Sequence, residues 1–124
     1  MNLTVRDILS LGGLRDASIV AGNGGVNNIV DSISVLEVAD SNISKWVLKN
    51  ELYITSFYAI HTNIEKQKEV IKALHKSGGC GLVLCHIDMW IKDIDKEIIE
   101  LCNTIDFPLI VANSEVSYVE ILNP

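Results

Sequence analysis

The chain has 124 residues, of which 48% are hydrophobic and 21% are charged, with only two prolines and no low-complexity tract. This composition fits one compact domain and excludes a disordered tail, a collagen-like fibre and a disulfide knot. Ten Lys and Arg residues against sixteen Asp and Glu residues give a formal net charge of −6. The average surface therefore repels a phosphate backbone, which argues against direct nucleic-acid binding by this segment.

The sequence has the features of a cytoplasmic protein without a membrane segment. No run reaches the roughly 18 apolar residues that a membrane span needs, and charges at Arg6, Asp7, Arg15 and Asp16 leave no apolar core for a signal peptide. The cysteines are odd in number and lie in apolar runs, as reduced core thiols in a cytosol would. They are Cys80, Cys85 and Cys102.

The first third of the chain predicts one helix and two strands. Thr4 can cap a helix that Gly12-Gly13 are expected to end. Residues 18–21 predict a strand, and apolar residues alternating with serines predict a second one over residues 29–38. Because only a turn at residues 22–25 separates these strands, we expect an antiparallel hairpin or an offset pair.

The rest of the chain alternates strands with helices. The predicted strands are residues 52–55, 81–85 and 109–111. The predicted helices are residues 43–47, 91–105 and 118–122, together with a longer one between the strands at 52–55 and 81–85. This longer helix opens with capping-box spacing at Thr62-Asn63-Ile64-Glu65 and ends at Gly78-Gly79. The apolar run 81–85 is typical of a strand covered on both faces.

Strands joined by helices of this length must run parallel, with right-handed crossovers. We therefore predict a single α/β domain over residues 1–124. Its architecture is a three-layer sandwich, with a mostly parallel or mixed sheet of about five strands and helices on both faces. In such folds a ligand lies beyond the carboxyl ends of the strands.

Polar residues form a rim at those predicted strand ends. They are Glu37, Asp40, Thr55, Ser56, Tyr58, His86, Asn113, Ser114 and Glu115. Their side chains can hydrogen-bond a small polar ligand such as a nitrogen-rich heterocycle. The alternative is that they only solvate the sheet edge and cap helices.

Common catalytic and cofactor motifs do not fit this sequence. The Gly22 to Gly25 segment resembles a dinucleotide loop only superficially, because a strand follows it rather than a helix. The cysteines lack zinc-site spacing, and Cys85 and His86 are neighbours on a strand and so point to opposite faces. A phosphoacceptor receiver needs an acceptor Asp and a Lys where Thr55-Ser56 and Ala112-Asn113 stand. We expect no enzyme activity, no cofactor and no metal.

Five segments carry a further pattern, in order, over nearly the whole chain. They are Leu3 to Leu9, Val20 to Val26, Val35 to Asp40, Trp46 with Glu51 to Thr55, and Phe107 to Ile110 with Glu115 to Ile121. Together they resemble the N-terminal domain of the purine catabolism regulatory (PucR-type) family of bacterial transcription factors. Asn50, Ser56 and Phe57 depart from the Gly, Thr and Gly of the family pattern, which alters the shape of any ligand site after the third predicted strand.

The resemblance implies a non-enzymatic regulatory domain that senses a small-molecule effector, with a purine-related metabolite as the natural candidate. It also implies that DNA is contacted only by a C-terminal helix-turn-helix region beyond this chain, in agreement with the charge of −6. We predict that the signal passes through a homodimer. The candidate ligand-binding residues are Glu37, Asp40, Thr55, Ser56, Tyr58 and Glu115.

Two alternatives stay open. The first is a structural dimerisation or protein-interaction module without a ligand, in which Trp46, Tyr53, Phe57 and Tyr58 pack at a self-association surface. The second is a small α/β enzyme, for which the sequence offers no nucleophile with a base and an orienting group.

Overall fold

A computed structural model describes residues 3–10, 17–35, 49–56, 62–85 and 94–112. The strands in these ranges are β1 (Leu3–Thr4), β2 (Ser18–Ala21), β3 (Ile29–Val30), β4 (Ser32–Val35), β5 (Glu51–Thr55), β6 (Gly81–Leu84) and β7 (Leu109–Val111). The helices are α1 (Val5–Ile8), α2 (Ile64–Lys76) and α3 (Lys96–Thr104). The predicted helices at 43–47 and 118–122 lie outside the described residues.

Five strands form one mixed sheet in the order β2-β7-β6-β5-β4. The four strands from β4 to β7 run parallel, and β2 is antiparallel to β7. Helix α2 connects β5 to β6, and α3 connects β6 to β7, as parallel neighbours require. The predicted α/β fold with a mostly parallel sheet of five strands is therefore confirmed.

The predicted pairing of the first two strand segments is wrong. β2 pairs with β7, the last strand in sequence. The segment 29–38 is not one strand, because β3 pairs antiparallel with β1 in a separate two-stranded ribbon while β4 joins β5. The break falls at Asp31, whose peptide N–H donates to the Asn50 carbonyl at 2.8 Å. Residues 36–38 lie outside the described residues.

Alternate side chains of the inner strands enter two separate apolar clusters, in agreement with the predicted layers. We call the first the helix face, because α2, α3 and Phe107 supply its partners; from the strands it takes Ala21, Tyr53, Leu82, Leu84 and Leu109. We call the second the ribbon face, because α1 and Val30 of the ribbon supply its partners; from the strands it takes Leu52, Ile54, Val83 and Ile110. The sheet is thus buried on both sides.

The ends of the helices differ from the sequence predictions. α1 ends at Ile8, before Gly12-Gly13, and Asn63 rather than Thr62 caps α2 by accepting from the Lys66 N–H at 3.0 Å. α3 begins at Lys96 instead of residue 91, because the Asp95 side chain accepts from the Glu97 N–H at 2.8 Å and caps it there. Among the described helices, none has the length and apolar character to cross a membrane.

Candidate functional site

Two of the six predicted ligand-binding residues fall within the described chain, at the carboxyl edge where the parallel strands end. Thr55 closes β5 and Ser56 follows it, and they are 2% and 7% exposed. Both already have an interaction partner in the fold. Glu37, Asp40, Tyr58 and Glu115 lie outside the described residues, as do His86, Asn113 and Ser114. The predicted ligand site at this edge stays a prediction.

One of the four aromatic residues proposed for a self-association surface is buried in the core. Tyr53 is 3% exposed and belongs to the helix-face cluster, so its ring is not available at a surface. Its position on the all-buried strand β5, between two other strands, explains this. Trp46, Phe57 and Tyr58 lie outside the described residues.

An open cavity of about 450 Å³ lies at the opposite, amino edge of the sheet, where the parallel strands begin. Asn50 precedes β5, Cys80 precedes β6, and Asp106 lies between α3 and β7. The turn after β2 reaches the same edge, because β2 runs antiparallel to its neighbour. We call this cavity the amino-edge groove. Its lining is Gly24, Gly25, Asn28, Ile29, Asn50, His75, Gly78, Gly79, Cys80, Ile105 and Asp106.

Backbone geometry fixes two polar residues of the groove. Asn50 has φ 61° and Asp106 has φ 54°, and they are the two non-glycine residues with positive φ in the described chain. Asn and Asp tolerate this left-handed conformation better than other residues. The Asn50 N–H donates to the Gly78 carbonyl at 2.8 Å, and its Nδ2 donates to Asp31 Oδ2 at 3.1 Å. Asn50 is therefore held by backbone and side chain together.

The glycine-rich segment forms one wall of the groove as a tight turn. Gly22 has φ 72°, and its N–H donates to Asn103 Oδ1 at 2.8 Å. A Cβ at Gly25 would lie 2.2 Å from the main-chain carbonyl oxygen of Asp106, so only glycine allows this approach. A three-residue 3₁₀ turn and then β3 follow Gly22. The turn interpretation is confirmed, and a dinucleotide loop leading into a helix is excluded.

The cysteines are buried and free of disulfides, as predicted. Burial raises the pKa of the Cys102 thiol to about 12. Burial, with a smaller contribution from the charges of Asp31 and Glu51, raises the pKa of Cys80 to about 12 as well. A nucleophilic cysteine needs a lowered pKa, so these two thiols are unsuited to catalysis. Within the described ranges no group of three or more His, Cys, Asp and Glu side chains can hold a metal ion.

A buried carboxylate stabilises the outer strand β4. Glu51 is 5% exposed, and its Oε2 accepts hydrogen bonds from Ser32 Oγ at 2.8 Å and Ser34 Oγ at 2.7 Å. Both serines lie on β4, so the carboxylate ties the edge strand to β5. Hydrogen bonds to a charged group are among the stronger ones in proteins. Glu51, quoted above as part of a sequence motif, therefore has a structural role.

The sequence signals that could have found the groove are turn signals. Asn50, Gly78-Gly79 and Asp106 are residue types that favour turns between a helix and a strand. They predict where each segment reverses, but they do not predict that the reversals meet around one cavity. That meeting depends on strand order, and the pairing of β2 with β7 places the turn at residues 22–25 beside Asp106.

A solved structure has a fold similar to that of this chain. The regulatory region of a Clostridium perfringens pyrophosphatase, solved as its CBS and DRTGG domains in complex with the activator diadenosine tetraphosphate, superimposes with a TM-score of 0.61 at 17% identity. The match covers 95% of this chain and 44% of that one. At this identity the likeness concerns the fold alone.

The chain is also similar in sequence to the purine catabolism regulatory protein of Bacillus subtilis strain 168, with 27% identity over 121 residues. The aligned region is 98% of this chain and 22% of the relative, so the chain spans about a fifth of the relative's length. The sequence profile of the purine catabolism regulatory protein-like family (PucR) matches residues 7–124. Because this match covers almost the whole sequence, the chain belongs to the PucR family.

Proposed function

We propose that this chain is the effector-sensing regulatory domain of a bacterial transcriptional regulator of purine or related nitrogen-compound catabolism. The observation that carries the proposal is the family match over residues 7–124, together with a relative named as a purine catabolism regulator. The domain is non-enzymatic. It acts on a C-terminal DNA-binding region that lies beyond this chain.

Charge supports the separation of sensing from DNA binding. A segment with a net charge of −6 is repelled by nucleic acid. DNA contact in the whole regulator therefore belongs to another region. The domain influences that region through its conformation or its assembly, and we propose a cytoplasmic homodimer as the unit that responds.

The structural neighbour supports a small-molecule effector. That protein's regulatory region is described in complex with a nucleotide activator, and its fold resembles this one. An effector can act only if it binds one state of the domain more tightly than the other. Six of the nine residues of the predicted rim are our candidates for that contact, namely Glu37, Asp40, Thr55, Ser56, Tyr58 and Glu115.

A thermal-shift screen of purines, ureides and nucleotides tests this function, first on the domain and then on the longer regulator. We expect at least one class to raise the melting temperature of both. Glu37→Gln, Asp40→Asn and Glu115→Gln should reduce that shift, since each removes a carboxylate of the rim and keeps its size. Glu69→Gln, on the exposed side of α2, is the matched control and should leave the shift unchanged.

The same screen can also contradict the proposed function. A flat response to every compound in both the domain and the longer regulator contradicts effector sensing. Sedimentation then decides the alternative, because a domain that self-associates without binding any compound is a structural dimerisation module. A strict monomer at high concentration contradicts that alternative.

A further inference from the structure

We propose that the amino-edge groove is a second ligand site, which takes a small, uncharged or cationic nitrogen heterocycle bearing exocyclic amino groups. This inference goes beyond the proposed function, because it holds whether or not the carboxyl-edge rim binds an effector. It rests on the hydrogen-bonding capacity of three side chains and on the local charge.

The groove presents acceptors whose own donors are already used. Asn28 Nδ2 donates to the Cys80 carbonyl at 3.3 Å, and Asn50 Nδ2 donates to Asp31 Oδ2 at 3.1 Å. Each bond orients the carboxamide and leaves its Oδ1 without a partner in the described part of the chain. The Asp106 carboxylate likewise accepts no hydrogen bond from residues in those ranges. A ligand rich in N–H groups can donate hydrogen bonds to these acceptors in place of water.

The charge of the groove lining favours uncharged and cationic ligands over anionic ones. Asp106 is the one acidic residue that lines the groove, and no Lys or Arg is part of the lining. The side-chain stem of Lys49 lies beside Gly78, which lines the groove. With a net charge of −6 over the whole chain, a polyphosphate is disfavoured here. Amino groups bound to an aromatic ring, in contrast, donate well to a carboxylate.

The groove has a fixed shape and a suitable size. Asn50 and Asp106 are held in left-handed backbone conformations, and the turn at Gly24 abuts Asp106 directly. A backbone fixed in this way loses little freedom when a ligand binds, which favours affinity. A volume of about 450 Å³ lies in the range of pockets that hold one small organic molecule.

Three probes with the same purine ring system test the chemistry on the purified chain by calorimetric titration. Diaminopurine carries two exocyclic amino groups, unsubstituted purine carries none, and ATP adds phosphates to an aminopurine. We expect diaminopurine to bind at least about tenfold more tightly than purine, since it adds hydrogen bonds to charged and neutral acceptors. ATP should bind most weakly of the three, because its phosphates meet Asp106.

Substitutions test the location. Asp106→Asn keeps a residue that tolerates positive φ but removes the charge, and it should weaken diaminopurine about tenfold while leaving purine nearly unchanged. Glu100→Gln is the matched control, since it removes an exposed carboxylate from α3 outside the groove. Melting of each unliganded variant establishes that it is folded. Amide NMR shifts of Gly24 and Gly78 should move on titration with diaminopurine.

Several results would overturn the inference. One is a lack of heat and of NMR shift with diaminopurine up to about 5 mM, a concentration well above the dissociation constant of a site with useful affinity. Another is ATP binding at least as tightly as diaminopurine. A third is loss of diaminopurine binding in Glu115→Gln but not in Asp106→Asn, which would move the ligand to the carboxyl-edge rim and support the proposed function instead.

Discussion

In the described ranges, the helix face and the ribbon face cover the same sheet with very different amounts of regular structure. On the helix face, α2 and α3 contribute 13 and 9 residues. On the ribbon face, α1 has four residues and the ribbon has two strands of two residues each. Yet Val5 and Ile54 of the ribbon face are as fully buried as Ile71 of the helix face. Among the described residues, side chains of the ribbon face are therefore fully buried beside a helix of only four residues.

Long-range backbone bonds compensate for the shortness of α1. The first N–H groups of a helix have no partner inside the helix. Here the Val5 N–H donates to the Asn28 carbonyl at 3.0 Å, and the Arg6 N–H donates to the Val26 carbonyl at 2.9 Å. Thr4 and Asp7 add a reciprocal capping box. An isolated helix of this length does not form in water, so α1 depends on the ribbon for its stability.

The largest expected difference between the two faces is in the free energy of unfolding that is lost when a buried isoleucine is truncated to alanine. Ile71→Ala in α2 and Ile8→Ala in α1 remove the same atoms from nearly equal burial. Such changes lower the free energy of unfolding by about 2–5 kcal/mol. We expect Ile71→Ala near the upper end, because two packed helices cannot close the cavity. Ile8→Ala should lie lower, because a four-residue helix can shift inward.

Urea denaturation of both variants measures the difference, with the slope of the transition as the check that the unfolded states are comparable. Equal losses would mean that the ribbon face is as rigid as the helix face. A larger loss for Ile8→Ala would contradict the comparison.

The same contrast explains which parts of the fold could be predicted from the sequence. The period of 3.6 residues in α2 and the continuous apolar run in β6 are local signals, and both elements form where they were predicted. The ribbon escaped prediction because two residues on each side carry no periodicity. The pairing of β2 with β7 escaped because nothing near Ser18 encodes a partner about 90 residues away. The amino-edge groove depends on that pairing and was missed with it.

Alkaline pH should destabilise both faces together. Cys80 lies in the ribbon-face cluster and Cys102 in the helix-face cluster, and burial raises the pKa of each to about 12 from 9.0. The folded state therefore keeps the proton that the unfolded state releases. Stability is complete below pH 9.0 and falls between there and about pH 12. The slope is at most about 1.4 kcal/mol per pH unit for each thiol.

Urea denaturation at a series of pH values measures this loss, and Cys80→Ala and Cys102→Ala assign it to a face. Each variant should remove the part of the pH dependence above pH 9.0 that its own thiol contributes, whatever it does to stability at neutral pH. If one variant removes all of it, the other thiol is reached by water in the folded state.

Removing helix caps should have a smaller effect, again with a difference between the faces. Thr4→Ala removes the cap of α1, and Asn63→Ala removes the cap of α2. Each should lower the free energy of unfolding by about 1 kcal/mol. We expect Thr4→Ala to lower it more, because the whole of α1 lies within one turn of its cap. Thr104→Ala, whose hydroxyl donates to the Glu100 carbonyl at an exposed position, is the control and should change little.

The smallest effect concerns the ion pair that joins the two helices of the helix face. Lys68 Nζ lies 3.3 Å from Glu97 Oε1 on α3 and 3.6 Å from Glu65 Oε1 on its own helix. The hydrogen bond to Glu97 is the main cause that raises the pKa of Lys68 above 10.5. Any stability from this pair is therefore present below pH 10.5 and is lost as the pH rises through the higher folded-state value.

Lys68→Gln tests whether that link matters, with Lys96→Gln as a control whose partner Glu100 lies at 3.9 Å within one helix. We expect a small loss for Lys68→Gln that disappears in about 0.5 M NaCl, because salt screens exposed charges. The control should show no loss at either salt concentration. A loss for Lys68→Gln that survives high salt would have to come from the packing of its aliphatic stem between α2 and α3. In that case the helix face owes its rigidity to apolar contact even where its helices carry opposite charges.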